Sequence, residues 1–193
     1  MTTESPHNIT LAQFTAVFVP AGLLLAWALI APELGGDLEV GRSRDTMWAV
    51  VLLVLASMVL YPFRNESQRI ANLSYLLWTA GLLVFVVHAY WGFFYYYGSI
   101  ADAYRGQGPE IFIPNTLVLL VWMIDTALLW FARESRAGAL FHVAVRVLFF
   151  LFFAVDMIVT RVGAPKILGF VFVGIIAAAW LLRLARTRMR ATA

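Results

Sequence analysis

The sequence predicts an all-α, polytopic integral membrane protein, with six transmembrane helices, short loops and both termini cytoplasmic. Three observations carry this expectation. Six long apolar segments take up nearly the whole chain. Hydrophobic residues make up 62% of it and charged residues 13%, whereas a soluble domain is about half apolar and a quarter charged. Lys and Arg are unevenly shared between alternate connections. No linker or shift of composition divides the 193 residues, so residues 1–193 are read as one transmembrane domain.

About 20 apolar residues cross a hydrocarbon core, which places spans at 11–31, 46–63, 72–97, 114–132, 138–160 and 167–185. The first ends in Ala26-Trp27-Ala28, a cleavage-like triplet, but lacks a basic n-region and is read as a span. Pro20 in its middle is expected to kink it. In the second, Val50 to Leu60 is apolar apart from Ser57.

The third repeats Ser74, Trp78, Gly81, Phe85, His88, Gly92 and Tyr95 at intervals of three or four, a stripe of small and polar residues that suits close approach of a helix or ligand. Its end is crowded with aromatics from Tyr90 to Tyr97, including Trp91, Tyr95 and Tyr96. The connection 98–113 adds Tyr104 and Phe112. Trp and Tyr favour the headgroup region, and a cluster this dense is also expected to form a partner or ligand surface.

The fourth span carries Asp125, and the fifth carries His142, Arg146 and Asp156. The sixth is free of charge from Ile167 to Leu182, and its small residues suit close packing. Helices apolar all round, like the second and sixth, are expected to face lipid or other apolar helices rather than wall a pore.

Orientation follows from the cations. Arg64, Arg69, Arg133, Arg136, Arg183, Arg186, Arg188 and Arg190 fall on one side, and Arg42, Arg44, Arg105, Arg161 and Lys166 on the other. The richer side is expected to be cytoplasmic.

Ionisable groups inside a membrane are costly unless paired or hydrated, which directs attention to His88, Asp125, Arg146 and Asp156. At about 1.5 Å of rise per residue, His88 lies about 5 Å outward of its span's middle, and Asp125 and Arg146 about 3 and 4 Å inward. The expectation is a midplane cluster in which His88 meets Asp125 and Arg146 keeps Asp125 ionised, serving as a relay, a substrate site or a helix tie. Asp156, about 11 Å outward, is expected near Arg161. His142, one turn before Arg146, reads as an interfacial hydrogen-bonding residue. A weak internal echo runs through the chain at an offset of 68 residues, where Phe63, Glu66, Ser67 and Ala71 recur as Phe131, Glu134, Ser135 and Ala139. In this register Ser57 matches Asp125 and His88 matches Asp156.

Cysteine is absent, which excludes thiolate metal and haem ligation. No HExxH, GxSxG or Walker loop occurs. His88 and His142, the only membrane histidines, differ in depth by about 14 Å and do not suit a shared haem. No cofactor is predicted; a haem or metal would need a single histidine helped by another subunit. The expected surroundings are a lipid bilayer, read as a bacterial inner membrane, with other membrane subunits or a homo-oligomer as partners and no nucleic acid. The leading expectation is a small subunit or anchor of a membrane assembly without catalytic activity of its own. The alternatives are a compact proton-linked transporter or channel using His88, Asp125 and Arg146, and a lipid- or quinone-handling enzyme subunit.

Overall fold

The computed structural model describes residues 8–35, 38–131, 136–160 and 162–192. It is 92% helical. The helices are α1 (Leu11–Gly35), α2 (Leu38–Leu60, followed by a 3-10 turn at Tyr61–Phe63), α3 (Gln68–Tyr90), α4 (Ile100–Gln107), α5 (Pro109–Phe131), α6 (Arg136–Val155) and α7 (Ala164–Thr192). α3 and α6 each run on into a wider π turn, at Trp91–Tyr96 and Asp156–Thr160. All but α4 are long and apolar enough to cross a membrane. The chain is a multi-pass membrane protein.

Helix ends differ from the hydropathic limits because hydropathy marks the apolar middle, whereas hydrogen bonding continues into polar flanks. α2 begins at Leu38 rather than 46, and α5 at Pro109 rather than 114. The connection 98–113 is therefore structured. Ser99 Oγ accepts from the Asp102 backbone N–H to start α4, and Gly108, at φ +77°, separates α4 from α5. Hydrogen bonding from Ser99 and the nearby Arg105 hold the Asp102 carboxyl below the usual carboxylate range.

α2 and α3 form the central pair. α1 packs on both of them, α5 on α3, α6 on α5, and α7 on α6 and α2. α2 is thus largely buried among helices and is not a lipid-facing strut. α1 and α2 approach closely where a Cβ at Gly41 would lie 2.7 Å from the Pro32 ring. α1 remains one helix through both Pro20 and Pro32.

Charged side chains pin the two ends of the bundle. At the end that carries α4, Arg42 joins Glu33 and the Leu29 carbonyl of α1, with its guanidinium 4.8 Å from the Trp91 ring centre. At the opposite end, here called the tail end, Arg183 and Arg186 of α7 reach Glu66 at 3.0 and 3.5 Å.

From the cation distribution the tail end is expected to be cytoplasmic. An introduced cysteine at Ala101, exposed on α4, should react with an impermeant maleimide in intact cells, and one at Asn65 should not. Ala101 suits this better than Gly106, where a Cβ would lie 2.6 Å from the Tyr97 ring. The reverse labelling pattern would invert the topology.

Candidate functional site

Two polar groupings within the spans, one around Asp125 and one around His88, are separated by a row of aromatic rings. Asp125 of α5 is fully buried. His142 Nδ1 meets its Oδ1 at 2.6 Å, and Oδ2 accepts from Trp78 Nε1 at 2.8 Å and from Arg146 Nη1 at 3.4 Å. With the carboxylate as acceptor, His142 carries its proton on Nδ1. Arg146 Nη1 also donates to the His142 carbonyl at 3.1 Å. Its guanidinium carbon lies 3.9 Å from the Tyr61 ring centre and 4.5 Å from that of Trp78, and Nε and Nη2 make no hydrogen bond. The π faces supply the attraction those edges lack. One carboxylate thereby ties α3, α5 and α6 together.

The rings begin at this cluster. Trp78 lies 5.0 Å from Trp122 between ring centres, Trp122 is 5.7 Å from Phe85, and Phe85 stacks on His88 at 5.6 Å. Phe149 closes the row against both tryptophans, at 5.0 and 4.6 Å. Trp78, Trp122 and Phe149 are completely buried. Gly81 leaves the room this requires, since a Cβ there would lie 3.1 Å from the Trp122 indole.

His88 therefore does not meet Asp125, contrary to expectation. The two stand at opposite ends of the ring row. Depth along the helices matched them, but the aromatic side chains between α3 and α5 fill the space where they would join. His88 Nδ1 instead lies 2.9 Å from the Ser43 carbonyl and 3.2 Å from Thr46 Oγ1. The carbonyl is an acceptor, so the proton sits on Nδ1 and Nε2 is left as an acceptor.

Beyond His88, towards the α4 end, a cleft of about 1100 Å³ opens between α2, α3, α5 and α6. His88, Asp156, Ser43, Asn115 and Thr116 contribute polar groups to an otherwise mainly apolar and aromatic lining. Both π turns border it, through Gly92 and Tyr96 in one and Asp156 and Met157 in the other. Asp156 thus belongs with His88 rather than with Asp125 and Arg146. Its expected partner Arg161 lies outside the described residues.

The expected aromatic surface is split. Tyr95, Tyr96 and Tyr104 are about half exposed. Trp91 packs on Tyr95 at 3.9 Å, whereas Phe112 is wedged between Phe93 and Tyr104 at 5.8 and 5.4 Å. Among the described residues no three His, Asp or Glu side chains converge as metal ligands.

Sequence reasoning missed His142, Trp78 and Tyr61 as members of the ionic cluster. The offset of 68 held the signal. Ser57 donates to the Ser74 carbonyl at 2.8 Å, and the positions 68 residues on are Asp125 and His142, which also bond to each other. Trp78 maps onto Arg146 in the same register. One contact thus recurs at matching positions of α2–α3 and α5–α6, between a hydroxyl and a carbonyl in the first and between an imidazole and a carboxylate in the second. The chain matches no protein-family model, no curated protein and no solved structure.

Removing the carboxylate would leave Arg146 charged, buried and without its counter-ion. Asp125→Ala is expected to lower stability by about 3–5 kcal/mol, and Asp125→Asn, which keeps the shape, by less. Adding Arg146→Met to Asp125→Ala should recover much of the loss. Thermal unfolding in detergent tests the order; equal melting points for Asp125→Ala and the double variant would show that no uncompensated charge had been left behind.

Proposed function

We propose that this chain is a compact membrane transporter, in which the hairpins α2–α3 and α5–α6 are two related halves around the α4-end cleft. The single supporting observation is the pair of equivalent contacts, Ser57 with Ser74 and Asp125 with His142, offset by the same number of residues in both partners. Parallel repeats built around one site are a recurrent transporter plan. His88 and Asp156 correspond in the same register, and both line the cleft.

In this reading the cleft is the substrate site, the buried rings are its floor, and the Asp125, His142 and Arg146 cluster is the gate beneath. A proton relay running from His88 through Asp125 is not part of it, because the rings stand between them. Opening towards the tail end would require the helices tied at Asp125 to part. With the tail end cytoplasmic, the state described here faces outward.

The cysteine-free chain makes the test direct. Thr116 lines the cleft, and the Thr126 hydroxyl is buried beside Asp125 in sequence, without a hydrogen-bond partner. In oriented vesicles, cysteine at Thr116 should react with an impermeant thiosulfonate from the α4 side and cysteine at Thr126 should be protected. Asp125→Asn should weaken the gate, making the Thr126 position reactive from the tail side and the Thr116 position less so. Unchanged labelling at both would mean a fixed scaffold. A rise at both from either side would mean unfolding.

A second reading, the assembly subunit, is supported by Tyr95 and Tyr96, which stand exposed on one rim. Replacing both by serine should then release a co-purifying partner, or dissociate a homo-oligomer, more than it reduces inserted protein. Size-exclusion chromatography in mild detergent reports the outcome.

A further inference from the structure

The lining of the α4-end cleft carries information about what it would hold. Its volume of about 1100 Å³ lies at the top of the usual range for a ligand pocket. Phe85, Phe93, Leu119, Leu148, Phe152 and Phe153 make most of the wall apolar. Ile111, Leu148, Leu151 and Val155 belong both to the wall and to the exposed apolar residues, so the wall reaches the outer surface of the bundle along α5 and α6. The lining includes one cation, Arg44, and two carboxylates, Glu110 and Asp156. Arg44 is itself bonded to Asp45 at 2.8 Å.

That balance, two carboxylates against one cation that is already paired, disfavours an anionic headgroup. It does suit a hydroxyl. His88 is fixed through Nδ1 to the Ser43 carbonyl, which leaves Nε2 as an acceptor in a residue of the wall. Asn115 and Thr116 add further groups of neutral polarity, and Gln107 Oε1, on another part of the wall, has no hydrogen-bond partner. The two π turns add an independent observation, because widened helical turns concentrate at functional sites and both described here border this one cleft.

We propose that the cleft binds an uncharged amphiphile, an apolar chain ending in a hydroxyl-bearing head, that enters from the lipid between α5 and α6 and donates a hydrogen bond to His88. This names the substrate class of the transporter reading and rests on it only for the movement of the ligand, since binding requires no gate. A quinol and a diacylglycerol share this chemistry.

The test is titration of the full chain in nanodiscs of zwitterionic lipid, following the tryptophan fluorescence to which Trp48 in the wall contributes. The probes are decylubiquinol, a short-chain diacylglycerol brominated on one acyl chain, and a similarly brominated phosphatidylglycerol. Saturable quenching by the quinol alone or by the diacylglycerol alone identifies the source, and both fit the proposal. His88→Ala should weaken the binding about tenfold, the loss of one hydrogen bond. Leu151→Phe, at the lateral opening, should weaken it while leaving the His88 side intact and adding no tryptophan. This second variant keeps the test decisive if His88→Ala does not fold. Quenching that is non-saturable, strongest for phosphatidylglycerol, or unchanged in Leu151→Phe would overturn the proposal. Binding as expected together with unchanged cysteine labelling in Asp125→Asn would retain the ligand site and reject transport.

Discussion

The arrangement of α3, α5 and α6 depends on the Asp125 carboxylate having no access to water. A buried carboxylate must find donors or lose its charge. Asp125 finds them on two other helices, through Trp78 Nε1, His142 Nδ1 and Arg146 Nη1. Each donor is then held by what the others need. Trp78 must present its indole edge to the carboxylate, which turns its face to Arg146 and its flank to Trp122 and Phe149. The guanidinium is held between Tyr61 and Trp78 instead of reaching for water. Polar pairing and aromatic packing are thus one structure here, and neither is free to rearrange alone.

The α4 end is built on the opposite principle. Past the Phe85 and His88 pair, α5 and α6 do not close on α2 and α3, and the space between them is the cleft. A half packed around the Asp125 cluster and an α4 half that holds an open, mainly apolar cleft make stability and accommodation the work of different residues. Local opening is expected where few buried contacts hold elements together. In this molecule that is the α4 half, where several side chains of the cleft wall are exposed.

Much of the fold was legible in the sequence because apolar length is a one-dimensional signal. Six runs of sufficient length leave little choice but six crossing helices. The site was legible only in part. Asp125 and Arg146 could be matched because their depths agree and opposite charges in lipid seek each other. His88 has a similar depth, yet depth along an axis does not say which face of a helix a residue occupies, and Phe85 and Trp122 decided that. His142 looked interfacial when judged by distance from the end of its span. Its pairing emerged only from comparing hairpins, where Ser74 occupies the same place and bonds to Ser57. The Pro109 boundary depends on the short helix that Ser99 caps and on the turn at Gly108, to which a hydropathy window is blind.

The π turn at Trp91–Tyr96 alters the phase of everything that follows it. An α-helix advances about 100° per residue, so one extra residue in a turn rotates the downstream side chains by about that angle. The polar stripe of α3, counted at α spacing, passes from His88 through Gly92 to Tyr95. In the structure Gly92, Phe93, Tyr96 and Tyr97 border the cleft, while Tyr95 packs on Trp91. The turn behaves like a ratchet tooth set between the fixed helix and its aromatic rim: gaining or losing a single residue there would change which aromatic side chains border the cleft without disturbing Trp78 or the carboxylate below. The rim can therefore be re-indexed in sequence independently of the half that holds the bundle together.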